Sequence, residues 1–305
     1  MAHDYDILLL GGYFCDLIFT GLPEMPQLGA EVFGSGFEVV PGAAFTTALA
    51  LQRLGLRAGW SCDFGNDFFS RYVLEEARAT GLDDRLFRHH PHPLRRVTAA
   101  LSFPHDRAFV SYLDPSERPA AAPLVEQYRP RWVLLSGLSY GPAHTELVAA
   151  ARRVGAQVYM DCQCVSATLA TPGLVEALRA VDVFAPNERE AIALTGAGSW
   201  QAALEQLAAL TPLVVLKRGA AGAVARRQGE QAQAPALPVA VLDTTGAGDC
   251  FNAGFLYGYL RDRSLEESLR CGNICGGLST TAFGGRAVPT VEQLEALLKD
   301  TEGRV

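Results

Sequence analysis

A chain of 305 residues, 49% hydrophobic and 19% charged, has the apolar material for a substantial core and is not a disordered polypeptide. Its formal net charge of −7 argues against a nucleic-acid partner, so affinity for any phosphate must come from local amides, a few cations and bound metal. The start is acidic and leads only to a short aliphatic run, which reads as neither signal peptide nor membrane span; with seven scattered cysteines, reduced thiols in a cytoplasm fit best.

Short apolar runs alternate with amphipathic ones, the pattern of a parallel sheet covered by helices. The first strand is Ile7–Leu10, and the first helix Ala44–Leu54. Gly65-Asn66-Asp67 then supplies a cap for a helix over Asp67–Thr80, stopped by Gly81. The basic cluster Arg85 to His90, followed by Arg95 and Arg96, reads as a solvated connector. Further on, strands are predicted at Trp132–Leu135, Gln157–Met160, Val181–Phe184 and Leu213–Leu216. Helices are predicted at Ala143–Val154, Glu188–Leu194, Trp200–Leu210, Asp249–Arg261, Leu265–Ala282 and Val291–Leu298. Two regions break the alternation: residues 13–40 are rich in Gly and Pro, and residues 96–113 read as a hairpin turning at Pro104-His105-Asp106. Cys162, Cys164, Cys271 and Cys275 have poor spacings for zinc and read as small buried residues.

The most informative run is Asp243-Thr244-Thr245-Gly246-Ala247-Gly248-Asp249. It lies between the apolar run Pro238–Leu242 and an apolar helix pattern, and reads as strand, glycine turn, helix. Glycines there let backbone approach a ligand, and the free amides at the helix start attract anions. Asp249 is out of place in an anion pocket unless it takes a proton from a hydroxyl that attacks phosphorus; the bland alternative is an acid favoured by the helix dipole. A dinucleotide fingerprint fails because its third glycine position falls on Phe251, and no Walker-type phosphate loop is present.

This run resembles, at every fixed position, the Asp-Thr-x-Gly-Ala-Gly-Asp signature of the ribokinase-like (PfkB) carbohydrate kinase family. Weaker motifs of that family recur in order from about residue 7 to residue 289. The resemblance implies an α/β fold: a ribokinase-like three-layer α/β/α core with a mostly parallel sheet and a small β-sheet lid. It implies one kinase domain over residues 1–305, with the lid built from about 13–40 and 96–113.

Carried over residue by residue, the resemblance makes Asp249 the general base and Gly246, Ala247 and Gly248 the anion hole. Asp16 would bind two acceptor hydroxyls. Gly42 and Thr46 occupy the acceptor-binding Gly-Gly-x-x-x-Asn turn, although Pro41, Ala43 and Thr46 depart from it and put ribose in doubt. Asn187 and Glu190 match an Asn-x-x-Glu motif near the nucleotide, Glu190 organising Mg²⁺ through water. Lys217, Gly219 and Gly222, with Asn273, would line the nucleotide site, and Gln163 is a weaker hydrogen-bonding candidate. Asp243, Thr245 and Gly285 would hold a monovalent cation, so K⁺ joins ATP and Mg²⁺ among the implied cofactors. The implied activity is ATP-dependent phosphorylation of a hydroxymethyl group on a sugar or small polyol. The alternatives are a nucleoside kinase of the same fold and a non-catalytic metabolite sensor. No membrane partner is expected, and the family's lids suggest a homodimer formed through them.

Overall fold

Ile7–Leu10 form strand β1, and all four residues are apolar because the strand is covered on both faces. The computed structural model describes residues 4–103, 107–115, 120–163 and 166–302. After β1 come β2 (Tyr13–Thr20), β3 (Gly36–Ala43), α1 (Ala44–Arg53), β4 (Ala58–Phe64) and α2 (Phe68–Ala79). Then follow β5 (Phe87–His89), β6 (Arg96–Ser102), β7 (Arg107–Leu113) and α3 (Ala122–Tyr128). Strands and helices next alternate: β8 (Trp132–Leu135), α4 (Pro142–Val154), β9 (Gln157–Asp161), α5 (Leu174–Ala180) and β10 (Val183–Ala185). α6 (Glu188–Thr195) and α7 (Trp200–Ala208) precede β11 (Leu213–Lys217), β12 (Ala223–Arg227) and β13 (Glu230–Ala234). The last helices are α8 (Ala247–Tyr259), α9 (Leu265–Ser279) and α10 (Val291–Glu302).

The main sheet has the order β13-β12-β11-β10-β9-β8-β1-β4-β5, parallel except for β12 and β13. Alternate residues of β1 feed opposite cores. Ile7 and Leu9 pack with α1, α8 and α9, whereas Leu8 packs with Val133, Val158 and residues of α4 to α7. That gives three layers, helix on sheet on helix. The chain runs outward from β1 through β4 to β5, then returns to β8 on the other side of β1. The crevice of an open α/β sheet lies at such a switch point, outside the carboxyl ends of the strands. Gly11 follows β1 there, where a Cβ would collide with Ser136 Oγ beyond β8.

The two segments that broke the alternation form a separate sheet of order β3-β2-β6-β7. β6 and β7 pair antiparallel from Arg96–Leu113 to Ser102–Arg107, so residues 96–113 are the expected hairpin; its tip, Pro104 to Asp106, lies outside the described residues, as does Cys164.

Three expectations are corrected. Phe87–His89 of the supposed connector is a strand paired with Cys62–Phe64, and Arg88 and His90 are bound to Asp63. Pro238–Leu242 is not a strand: proline supplies no amide for a ladder, and Val241 and Leu242 are exposed. The tenth strand begins at Val183, two residues later than expected; the Asp182 carboxylate before it binds Arg152 and the Val158 amide. No helix among the described residues is long and apolar enough to cross a membrane.

Candidate active site

The glycine signature opens α8. Gly246 is the N-cap with φ of 76°, a left-handed conformation that glycine adopts without strain. A side chain at Gly246 would also press on Thr46 Cγ2, 2.9 Å from its Cβ position. The Ala247 amide bonds Thr244 O at 3.3 Å and the Cys250 amide bonds Gly246 O at 3.0 Å, which leaves the amides of Gly248 and Asp249 in the anion-attracting first turn.

Asp249 sits on that first turn, half-buried, and lines a cleft of about 750 Å³ together with Ala247, Gly248 and Lys217. Thr47 Oγ1 on α1 donates a 2.8 Å hydrogen bond to Asp249 Oδ1. Burial, reinforced by the negative charge of Asp161 and more weakly of Asp16, pushes the Asp249 carboxyl up to about 7. The Thr47 hydrogen bond and the Lys217 ammonium oppose that rise. A carboxylate with a proton affinity near neutrality, facing a cleft, is chemically able to accept a proton from an alcohol.

Lys217 ends β11 and is held from below. Its Nζ lies 2.7 Å from Asp161 Oδ1 and 3.3 Å from Asn252 Oδ1. Asn252 in turn donates to Asp161 Oδ2 at 2.6 Å and accepts from Tyr159 at 2.9 Å. Burial works against the charge on this lysine, but the carboxylates of Asp161, Glu190 and Asp249 hold its pKa above the ordinary lysine value. Its ammonium therefore stays positive beside Gly248, 3.6 Å from where a Cβ would stand. Asn252 and Tyr159 were not singled out in the sequence. Asn252 falls on the buried face of α8, where an apolar pattern hides a single polar residue.

Asn187 and Glu190 form a capping box on α6: Asn187 Oδ1 accepts from the Glu190 amide and Glu190 Oε2 from the Asn187 amide. Glu190 still lines the cleft, and burial raises its pKa despite the Lys217 charge. Gly219 and Gly222 line the same cleft after β11. Asn273 donates to the carbonyls of Ala234 and Pro235, shaping the wall beside Leu237 and Pro238. The cleft thus joins a polar end, at Lys217 and the helix start, to an apolar end built from Leu237, Val239 and Phe251.

Asp16 of β2 is 4% exposed, and burial together with the charge of Asp243 raises its carboxyl to about 7. Its carboxylate lies against Gly42, where a Cβ would collide with it. Thr46, expected beside the acceptor, is buried with its methyl beneath Gly246 and Gly285, and the contact with Asp249 is made by the neighbouring Thr47. Asp243 Oδ1 accepts from the amide and hydroxyl of Thr245, and its Oδ2 from Gly284 N at 3.1 Å, which ties the signature to the loop carrying Gly285. Gln163, with φ of 56°, lines this cleft and also a second one over β1 and β8. Such left-handed strain in a non-glycine residue concentrates at functional sites.

Residues 35–292 match the description "pfkB family carbohydrate kinase". Among curated proteins, the chain is similar to ribokinase from Bacillus subtilis (strain 168), 24% identical over 310 residues that cover 96% of this chain and 99% of that one. It is also similar to aminoimidazole riboside kinase from Salmonella typhimurium, 29% identical over 281 residues, 84% of this chain and 87% of the relative. Among solved structures, a putative ribokinase II from E. coli in complex with ATP and Mg²⁺ shares the fold, with a TM-score of 0.75 at 20% identity, over 97% of this chain and 99% of that chain.

Proposed function

The chain belongs to the pfkB family of carbohydrate kinases, and we propose that it transfers the γ-phosphoryl group of ATP to the hydroxymethyl group of a small sugar or polyol. The observation that carries this reading is the half-buried Asp249 carboxylate at the start of α8, facing the cleft beside Gly248 and Lys217. A sensor would have no use for a carboxylate raised to about 7 inside an anion turn.

The larger cleft suits a nucleotide on the grounds of its own residues. Its apolar end would take the base, and Lys217, Gly219 and the α8 amides would take the phosphates. Glu190 would hold Mg²⁺ through water, in keeping with a metal that uses few carboxylates and keeps its waters; the metal would neutralise charge on the phosphates. In this reading Asp249 Oδ2 accepts the proton of the acceptor hydroxyl while Thr47 holds Oδ1. The Gly246–Gly248 backbone and Lys217 stabilise charge on the transferred group. Asp16 orients the acceptor. The four-stranded sheet, whose Arg107 reaches the nucleotide cleft, acts as a lid that excludes water.

The same reading includes K⁺ held near Asp243, Thr245 and Gly285, a homodimer formed through the exposed edge of the lid, and a cytoplasmic setting. A nucleoside-like acceptor remains a second reading, supported by the relative named aminoimidazole riboside kinase. A coupled ADP-release screen over sugars, polyols and nucleosides, with ATP and Mg²⁺, tests the proposal. Acceptor-dependent ADP release supports it, and ADP release independent of every acceptor contradicts it.

A further inference from the structure

The chain after β9 stands between two clefts. In the sheet β9 lies between β10, whose end runs on to Asn187 in the nucleotide cleft, and β8, whose end runs on to Ser136 and Gly137 in a second cleft. This second cleft holds about 380 Å³, within the range of small-molecule sites, roughly 300–1,000 Å³. Among the described residues, Gln163 alone lines both clefts.

Gln163 is held there against its own backbone preference. Its φ of 56° is one that glycine adopts without strain and glutamine does not. The residue before it fixes the geometry. The Cys162 amide donates to Asp161 Oδ1 at 2.7 Å, and the Leu138 amide donates to the Cys162 carbonyl at 2.8 Å. Asp161 anchors Lys217 on the nucleotide side, and Leu138 lines the second cleft, so the backbone at Gln163 is tied to both walls. Gly137 clears the space beside it: a Cβ there would stand 2.9 Å from Gln163 Oε1 and 3.2 Å from its Cδ. A strained residue anchored from two sides, with a glycine making room for its carboxamide, is more than a connection between strand and helix requires.

A carboxamide suits such a boundary. Its nitrogen donates two hydrogen bonds and its oxygen accepts, so it can serve two unlike partners at once. Phosphoryl oxygens only accept, whereas an alcohol also donates. The group is neutral, so it adds no charge to a cleft already lined by Asp161, Glu190 and Asp249.

We propose that Gln163 couples the two clefts. Its carboxamide donates to a phosphoryl oxygen of the nucleotide and accepts from a hydroxyl of the acceptor in the second cleft, so each substrate strengthens the binding of the other. The proposal rests on the phosphotransfer reading, which puts a triphosphate in one cleft and a hydroxylated acceptor in the other.

Equilibrium binding tests the coupling without turnover. D-ribose, D-fructose, myo-inositol and inosine are titrated calorimetrically into the full chain, alone and with a saturating non-hydrolysable ATP analogue and Mg²⁺. At least one of the four is expected to bind about tenfold or more tightly when the analogue is present, an ordinary size for coupling between sites. Q163G relieves the backbone and removes the carboxamide, and should bring that factor to within about twofold of unity. The analogue alone and the acceptor alone should each change by less than about threefold, because either one by itself leaves the exposed side chain unoriented. Q163E keeps the size but exchanges the donor for a negative charge, so the analogue should then weaken acceptor binding. Melting temperature and analogue binding report that each variant is folded, and Q163E decides the matter if Q163G is not. No binding of any of the four compounds, a wild-type factor near unity, or a factor retained by a folded variant would overturn the proposal. Coupling that Q163G abolishes, in a chain that releases no ADP with any acceptor, would keep it and overturn phosphotransfer instead.

Discussion

The hydroxyl of Thr47 and the carboxylate of Asp249, 202 positions apart in the chain, meet in a 2.8 Å hydrogen bond at the junction of α1 and α8. The bond favours the charged form of Asp249 against the burial that raises its pKa to about 7. Thr47→Val removes the hydroxyl at nearly constant volume. The acidic limb of the kcat/KM profile should then move to higher pH, with activity down about tenfold at pH 7 and recovering as the pH rises. A flat comparison of the two profiles would show that Thr47 does not act on the base.

Asp161 pulls the other way. Its charge raises the Asp249 pKa and anchors the buried ammonium of Lys217. Asp161→Asn should shift the acidic limb to lower pH, the opposite sign to Thr47→Val. It should also cost about 3 kcal/mol or more of stability, because Lys217 loses its nearest buried counter-charge. Denaturant unfolding and the pH profile check the two effects independently.

Gly42 has no side chain because the Asp16 carboxylate occupies that space. Gly42→Ala should displace Asp16 and raise the KM of the acceptor about tenfold or more, while the KM of ATP stays within about twofold. Equal effects on both substrates would indicate a general disturbance of the fold.

The raised pKa of Asp249 is also a statement about stability. The native state keeps a proton there up to about pH 7 that the unfolded chain releases near 3.8. The associated stabilisation is complete below the unfolded pKa and is lost as the pH rises through the folded one. Asp249→Asn removes that loss, so its stability advantage over the wild type should grow by something on the order of 2 kcal/mol between pH 5 and pH 8. Thermal unfolding at the two pH values measures it; a constant difference would mean that the native carboxyl is not perturbed.

The parallel core was readable because its strands are uniformly apolar and its helices announce their starts. Asp67, Asn187 and Ser264 each cap a helix through their side chains, and the last two complete capping boxes with Glu190 and Glu267. Strands without that apolar signature were not. Phe87–His89 is basic, and Glu230–Ala234 is polar because it forms the sheet edge. The signature turn was legible as a motif, but the partners of Asp249 were not. One residue along a helix turns a side chain by about 100°, and that rotation gives the contact with Asp249 to Thr47 and points the Thr46 methyl at Gly246 and Gly285. Asn252 was hidden for a related reason: its role depends on Tyr159 and Asp161, which come from a strand more than ninety positions away. Arg96 looked like surface charge until the lid strand and Gly12 placed it in the crevice.

The most direct test is the turnover of Asp249→Asn, measured as acceptor-dependent ADP release alongside calorimetric ATP binding. ATP affinity should stay within about threefold of the wild type, and kcat should fall by about 10²-fold or more. Turnover near the wild-type rate, with ATP bound as usual, would contradict the assignment of Asp249 as the group that takes the proton.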